Sequence, residues 1–174
     1  MTKEEVRAIS IDKLDLHKAK RMLDVGSGTG SVTIQAAVSF PNLEVVAIEQ
    51  NGDAVALTQE NIDYFGCQNI TLIKGKAPVD LDGQFDAIFV GGTGGNMAEI
   101  FECESLLVPG GRFVLNFILL EKAMEAIQLA EEMEWQDLDV VSIQASRWYA
   151  LGKGHYFKQQ NPTIIVLAVK PERK

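Results

Sequence analysis

The chain has 174 residues, of which 47% are hydrophobic, and its formal net charge is −8. This size and composition predict one domain, over residues 1–174, and no apolar run approaches the ~20 residues of a membrane span. Two isolated cysteines, two histidines and an N-terminus without a signal peptide favour a cytoplasmic protein with reduced, half-buried thiols and no metal site.

The charge is distributed unevenly along the sequence. Residues 22–143 contain four Lys/Arg and nineteen Asp/Glu, whereas residues 144–174 contain six and one. The acidic body argues against a nucleic-acid partner, because phosphate binding needs a basic face. The basic tail suits either a small anionic substrate or an ordinary solvated surface.

Helical and strand patterns alternate from start to finish. An N-terminal helix within residues 1–20 is predicted to begin with a capping box formed by Thr2 and Glu5. Later helices are predicted at 31–40, 53–65, 97–107 and 120–133. Strands are predicted at 21–25, 43–48, 70–74, 85–90, 112–117, 137–144 and 163–169. This alternation predicts an α/β fold with a mostly parallel sheet and helices on both faces.

The last two predicted strands have no helix between them. The intervening segment 146–161 is polar, aromatic and basic, and is predicted to be a loop. Two strands joined without a crossover helix are usually antiparallel. We therefore expect a seven-stranded sheet with an antiparallel last strand, which is typical of the Rossmann-like class I S-adenosylmethionine-dependent methyltransferases.

A glycine-rich loop follows the first predicted strand, in the sequence LDVGSGTGS of residues 23–31. Gly30 comes one residue too early for the GxGxxG dinucleotide fingerprint, so the spacing favours the GxGxG loop that binds S-adenosylmethionine. Glu49 follows the second strand, 19 residues after Gly30. Its carboxylate is predicted to accept hydrogen bonds from both hydroxyls of a ribose, the alternative being a solvent-exposed carboxylate at a strand end.

A second glycine-rich loop follows the fourth strand, in the sequence VGGTGGN of residues 90–96. Four glycines in five residues exceed the needs of a tight turn, which is the alternative interpretation. A loop with so few side chains would let a ligand come close to its backbone. The helix predicted to begin near Asn96 would present N–H groups to a substrate carboxylate.

These motifs resemble the CbiT family, the cobalamin-pathway methyltransferases that act on precorrin-6B or its cobalt form. The family methylates C15 of the macrocycle and removes the carboxyl group of the C12 acetate. The resemblance covers nearly the whole chain, through TKEEVRAISIDKL, DVGSGTGSVTIQAA, VVAIEQN, VGGTGGNMAEIFE, LVPGGRFVLNFILLE and NPTIIVLAVK. Its most specific parts are VGGxGG after the fourth strand and the pairing of that motif with TKxEVR.

The resemblance implies S-adenosyl-L-methionine as cofactor and an anionic tetrapyrrole as substrate. It places the cofactor on Thr2, Gly26, Ser27, Gly28, Thr29, Gly30, Glu49, Ala77 and Gly91. Substrate contacts are expected from Arg147 first, from Gly92 and Thr93 in the second glycine loop, and more weakly from Asn116 and Arg7. Methyl transfer to a carbon nucleophile depends mainly on positioning and desolvation, so no catalytic residue is assigned.

Two features depart from the family pattern. The family usually has an acidic residue in a GDAP segment, whereas this chain has Gly75-Lys76-Ala77-Pro78. Lys76 cannot accept a hydrogen bond from the adenine amino group, so we expect weaker cofactor binding unless Lys76 points to solvent. Family members also tend to carry a further stretch before TKxEVR, and its absence here predicts a more open cofactor pocket.

Segment 146–161 has two interpretations. Its interleaved aromatic and basic residues suit a flat polyanion, and they equally suit a subunit interface. Those residues are Arg147, Trp148, Tyr149, Lys153, His155, Tyr156, Phe157 and Lys158. The family implies a homotetramer and a separate CbiE-type methyltransferase as partner.

The sequence leaves three alternative functions. A class I methyltransferase with another small substrate is the nearest alternative. A non-catalytic scaffold paired with a CbiE-type enzyme is suggested by Lys76 and opposed by the intact GSGTG and Glu49. An NAD-dependent oxidoreductase is disfavoured by the GxGxG spacing and by the lack of a catalytic Tyr-Lys or His pair.

Overall fold

The structure is a computed structural model that describes residues 2–91 and 95–172. Its helices are α1 (Glu4–Leu14), α2 (Ser31–Ser39), α3 (Gly52–Phe65), α4 (Met97–Phe101), a 3₁₀ helix (Glu102–Leu106) and α5 (Leu120–Glu132). Its strands are β1 (Arg21–Val25), β2 (Glu44–Glu49), β3 (Ile70–Lys74), β4 (Phe85–Val90), β5 (Leu107–Phe117), β6 (Gln136–Ile143), β7 (Ser146–Leu151), β8 (Gly154–Gln159) and β9 (Thr163–Val169).

Seven strands form one sheet in the order β3-β2-β1-β4-β5-β9-β6. The pairs among β1 to β5 are parallel, whereas β9 runs antiparallel to both β5 and β6. The predicted seven-stranded sheet with an antiparallel last strand is therefore confirmed. The strand order reverses at β1, which lies between β2 and β4. In open α/β sheets, ligands bind beyond the carboxyl ends of the strands at such a switch point.

The central strands are mostly apolar and buried because both sheet faces are covered. In β4, Phe85, Ile88 and Phe89 are all at most 1% exposed. Ile88 belongs to the core that also contains α4 and α5, and Phe89 to the core that contains α1 and α2. The described helices include none that is long and apolar enough to cross a membrane.

Segment 146–161 is a β-hairpin rather than the predicted loop. Strands β7 and β8 pair antiparallel, with Trp148 opposite Phe157 and Tyr149 opposite Tyr156. Nearly every residue of the hairpin is exposed. Strand prediction depends on alternation between a buried apolar face and a polar face, and a hairpin with neither face buried lacks that signal.

The predicted capping box at the N-terminus is wrong. Helix α1 begins at Glu4 with Lys3 as its N-cap, and no side-chain capping bond is present in the described part of this helix end. The Glu5 carboxylate instead forms an ion pair with Arg147 of β7. An ion pair with the hairpin has replaced the local capping interaction.

Two smaller predictions also change. The helix expected over 97–107 ends at Phe101 and continues as the 3₁₀ helix, because Leu107 already pairs with Phe85 at the start of β5. Both cysteines are free, but only Cys67 is half-buried, since Cys103 belongs to the core. Burial raises the pKa of the Cys103 thiol to about 11, so this side chain is a neutral, apolar part of its surroundings.

Candidate functional site

Two cavities lie on either side of the first glycine loop, at the switch point of the sheet. The α1 cavity, of ≈ 500 Å³, is bounded by the start of α1 and the ends of β1, β4 and β5. The α4 cavity, of ≈ 530 Å³, is bounded by the end of β2, by residues 75–77 and by α4. Gly26 borders both cavities. A ligand that crosses Gly26 would therefore occupy both.

Glu49 is bound to the glycine loop directly. Its Oε2 accepts a hydrogen bond of 3.0 Å from the backbone N–H of Gly28, and its Oε1 accepts one of 3.0 Å from that of Asn51. The carboxylate is half-buried and borders the α4 cavity. Each carboxylate oxygen can accept more than one hydrogen bond. Glu49 can therefore still accept hydrogen bonds from two neighbouring hydroxyl groups.

Two side chains of α3 hydrogen-bond to backbone carbonyls of the glycine loop and hold it in place. The Thr58 hydroxyl donates to the Gly28 carbonyl at 2.7 Å, and the Asn61 amide donates to the Thr29 carbonyl at 3.0 Å. Sequence reasoning did not identify these residues. The available signal was a polar residue on the buried face of an amphipathic helix, since Thr58 is fully buried.

Gly30 is expected to tolerate a side chain less well than Gly28. Its φ is +81°, and a Cβ at this position would lie 2.8 Å from Cγ2 of Thr58. For Gly28, with φ +58°, the nearest atom would be 4.0 Å away. We expect Gly30→Ala to lower the free energy of unfolding by about 2–3 kcal/mol, against about 1 kcal/mol for Gly28→Ala. Urea denaturation of the two variants measures the difference, and equal losses would contradict it.

Asp24 is a fully buried carboxyl group at the end of β1 and borders the α1 cavity. Thr33 Oγ1 donates to its Oδ2 at 2.6 Å. Desolvation raises the pKa of Asp24 from 3.8 to about 6, with a smaller contribution from the charge of Glu49, while the hydrogen bonds from Thr33 oppose the rise. A buried acid with a perturbed pKa beside a cavity is a candidate for ligand binding. The signal in the sequence was an acid inside the apolar strand RMLDV.

Thr2 and Gly91 lie close together at the α1 cavity. A Cβ on Gly91 would be 3.8 Å from Thr2 Oγ1 and 2.9 Å from the Phe89 ring. Arg7 Nη1 donates to the Thr2 carbonyl at 3.3 Å, so Arg7 holds the N-terminal segment in place. Arg7 itself borders a smaller cavity between α1, α2 and α3. The candidates Gly92 and Thr93 lie outside the described residues.

Lys76 borders the α4 cavity together with Ala77. Its Nζ forms an ion pair of 3.1 Å with Glu99 of α4, and both side chains are about half exposed. Its backbone N–H donates to Asp80 Oδ2 at 2.7 Å, which fixes the Gly75–Pro78 turn. At position 76, where the family usually has an acidic residue, this chain therefore has a lysine that is paired with an acidic residue, Glu99.

The structure separates the two main substrate candidates. Asn116 is buried at the α1 cavity, where its amide donates to Ser10 Oγ at 3.0 Å. Arg147 is not among the described residues that border this cavity. Its guanidinium pairs with Glu5 and, at 3.5 Å, with Glu4, so it joins the hairpin to the start of α1.

The residues described here include no group of three or more His, Cys, Asp or Glu that could bind a metal ion. Carboxylates, amides, backbone groups and a few lysines surround the two cavities.

Comparison with known proteins identifies close relatives. The chain is 44% identical over 173 residues to a Salmonella typhimurium protein named cobalt-precorrin-6B C(15)-methyltransferase (decarboxylating), with 99% of this chain and 90% of the relative covered. It is also 31% identical, with a TM-score of 0.90, to the crystal structure of precorrin-6y C5,15-methyltransferase from Geobacter metallireducens, covering 98% of this chain and 91% of that one.

A third relative is the crystal structure described as precorrin 8W decarboxylase from Methanobacterium thermoautotrophicum. It is 32% identical with a TM-score of 0.88, and the match covers 97% of this chain and 91% of the relative. The predicted class I methyltransferase fold is confirmed by these likenesses. A family model described as the precorrin methyltransferase domain matches residues 1–170, and the chain therefore belongs to the precorrin methyltransferase family.

Proposed function

We propose that this protein is an S-adenosylmethionine-dependent C-methyltransferase of cobalamin biosynthesis. Its substrate is a precorrin or cobalt-precorrin macrocycle, which it methylates at C15 while the C12 acetate loses its carboxyl group. The observation that carries the proposal is the GSGTG loop with Glu49 and Asp24 on its two sides, in a chain 44% identical to a protein of that name.

The two cavities suit the two ends of the cofactor. We place the adenosine in the α4 cavity, with its ribose on Glu49 and its adenine beside the backbone of Ala77. The amino-acid end crosses Gly26 into the α1 cavity, which Thr2 and Gly91 also border. There the buried carboxyl group of Asp24 suits a cationic amino group.

The hydrogen-bonding groups of the loop support this placement. Ser27 Oγ is buried without a partner among the described residues, although it belongs to the loop beside the α1 cavity. Buried polar atoms are rarely left unsatisfied, so a ligand atom is the natural partner of this hydroxyl. Thr29 and Gly30 complete the loop, and their contribution is to hold its shape through Asn61 and through the positive φ of Gly30.

The bound cofactor supplies an electrophilic methyl group on a sulfonium. The residues of the chain orient and enclose the reactants, and catalysis of this kind comes mainly from alignment and exclusion of water. Phe89 and Phe117 are buried and form an apolar part of the lining of the α1 cavity. Asn116 borders the same cavity and is a candidate for hydrogen bonding to the substrate.

The test is a reaction of the purified protein with S-adenosylmethionine and cobalt-precorrin-6B, followed by mass spectrometry. The expected product has gained one methyl group and lost one CO2, with S-adenosylhomocysteine formed in equal amount. Methylation without loss of CO2 would contradict the proposed decarboxylation. Cofactor binding without any transfer would favour the scaffold paired with a CbiE-type enzyme.

We also propose that the hairpin β7–β8 assembles this chain into a homotetramer in the cytoplasm. Trp148, Leu151 and Phe157 are each more than 60% exposed. Exposed apolar patches of this kind mark interaction surfaces. The free thiols of Cys67 and Cys103 are consistent with a reducing compartment. A CbiE-type partner stays a prediction from the resemblance.

Replacing Trp148 by aspartate is expected to dissociate the assembly. A charge in an apolar interface is unpaired and desolvated, whereas the same side chain is harmless on a monomer. Light scattering after size exclusion measures the mass, with Tyr64→Asp as the control because Tyr64 is 83% exposed on α3. A monomeric wild-type protein, or an unchanged mass in Trp148→Asp, would contradict the proposal.

A further inference from the structure

We propose that the macrocycle lies on an apolar lip at the mouth of the α1 cavity, with its carboxylates bound by Lys3 and Lys122. The lip consists of Ile118, Leu119 and Leu120, at the junction of β5 and α5. The inference rests on the proposed function and assigns the part of the site that recognises the substrate.

The lip is exposed although it consists of large apolar residues. Ile118, Leu119 and Leu120 are 70%, 62% and 60% exposed. Ile118 and Leu119 border the α1 cavity directly. These three residues are not part of the hydrophobic core, because Phe117 is the last buried residue before them and Ala123 is the first buried residue after them. Consecutive exposed apolar residues at a cavity mouth indicate a surface that binds a ligand.

The charges around the same cavity are positive at its mouth. Lys3 and Lys122 border it, and Asp24 is the one acidic residue among the lining residues that the structure describes. Asp24 is buried in the floor, so it does not oppose an anion at the rim. This positive rim is notable on a chain with a net charge of −8. Its sign favours an anionic ligand.

Three acids near these cations, Glu4, Glu5 and Glu125, already form ion pairs. Glu4 and Glu5, which follow Lys3, are both paired with Arg147 of the hairpin. Lys122 pairs with Glu125 at 3.3 Å, and both side chains are at least one-third exposed. An exposed pair of this kind is weak, so Lys122 can exchange Glu125 for a ligand carboxylate. Arg147 joins the hairpin to the start of α1 through these two glutamates, and its direct contact with the substrate stays a prediction.

The lip and the lysines together fit a flat molecule with carboxylates on its edge. The apolar residues would cover one face of a conjugated ring system, while the ammonium groups reach its periphery. The amide of Asn161 and the hydroxyl of Thr163 border the cavity as well and add hydrogen-bonding groups. A nucleic acid would need a broad basic face, which the acidic body of this chain does not offer.

The test uses uroporphyrin, a stable tetrapyrrole with carboxylates on every ring, titrated by fluorescence into protein saturated with S-adenosylhomocysteine. We expect Ile118→Asp to weaken binding at least tenfold, because it adds a negative charge and removes apolar contact. Lys122→Gln should weaken binding three- to tenfold and reduce its salt dependence. The matched controls are Val38→Asp, at an exposed apolar position on α2, and Lys18→Gln, at an exposed lysine after α1. Both controls should bind uroporphyrin with an affinity within twofold of wild type.

The outcomes separate this inference from the proposed function. S-adenosylhomocysteine affinity should be the same in wild type and in the two control variants, and saturable binding of this compound by Ile118→Asp and Lys122→Gln shows that these two variants are folded. If that affinity is retained but the lip variants bind uroporphyrin like wild type, or wild type does not bind it saturably, the lip is not the substrate surface. If wild type does not bind S-adenosylhomocysteine, the proposed function itself is wrong.

Discussion

Replacement of Glu49 by alanine is expected to weaken the binding of S-adenosylhomocysteine by at least a hundredfold. Hydrogen bonds to a charged partner contribute about 1.5–3 kcal/mol each, and Glu49 is placed to accept two from a ribose. Two such bonds correspond to about 3–6 kcal/mol, and 1.4 kcal/mol is a factor of ten in affinity. The loss is increased by the Gly28 N–H, which donates to Glu49 and would be left without this acceptor.

Isothermal calorimetry measures this effect, with NAD as a control ligand that should not bind. Glu44→Ala is the matched variant, because Glu44 is an acid at the other end of β2 whose exposed ion pair with Arg21 is remote from both cavities. Glu49→Gln keeps one acceptor oxygen and should lose about tenfold. If Glu49→Ala binds S-adenosylhomocysteine with wild-type affinity, the ribose does not bind Glu49 and the proposed orientation of the cofactor is wrong.

The parts of the fold that sequence reasoning predicted are those where local pattern and tertiary environment agree. Strands β1, β3, β4 and β9 begin and end at the predicted residues. In β1, β4 and β9 the apolar runs coincide with buried positions, whereas β3 lies at the edge of the sheet and is only partly buried. The hairpin β7–β8 was missed for the opposite reason. Its residues are exposed on both faces, so the pattern that defines a strand in a sequence is absent.

The candidate site was only partly predictable. GSGTG and Glu49 have a fixed spacing, and the structure brings them together through the Gly28–Glu49 hydrogen bond. Ile118 and Leu119 join β5 to α5, and Lys122 lies in the first turn of α5. These residues reach the cavity because β5 is adjacent to β4 in the sheet. The basic and aromatic residues of segment 146–161 predict that Arg147 contacts the substrate. The ion pairs of Arg147 with Glu4 and Glu5 join distant parts of the sequence and cannot be predicted from it.

Replacement of Asp24 by asparagine is expected to stabilise the ligand-free protein at neutral pH. The folded-state pKa of about 6 lies above the usual value of 3.8, so folding disfavours the charged form of this carboxyl group. The native state therefore retains a proton that the unfolded chain releases, and stability falls as the pH rises from about 4 to about 6. At 1.36 kcal/mol per pKa unit, the full penalty above pH 6 is about 3 kcal/mol.

Urea denaturation at several pH values measures this penalty. Relative to wild type, Asp24→Asn should gain stability progressively between pH 4 and pH 7, by up to about 3 kcal/mol, because the asparagine has no proton to release. The comparison of the two pH profiles removes any constant effect of the altered hydrogen bond with Thr33. Parallel profiles for wild type and Asp24→Asn would contradict the assignment of the raised pKa to this carboxyl group.

The same substitution is expected to weaken cofactor binding while it stabilises the fold. A cationic amino group beside Asp24 favours its charged form, so binding would lower the raised pKa and release a proton below pH 6. Affinity for S-adenosylhomocysteine should then increase from pH 5 to pH 7 in wild type. In Asp24→Asn it should be at least tenfold weaker at pH 7.5 and nearly independent of pH. If Asp24 binds the ligand, Asp24→Asn should raise the free energy of unfolding and lower the affinity for S-adenosylhomocysteine. If Asp24 serves only the fold, the substitution should lower both quantities.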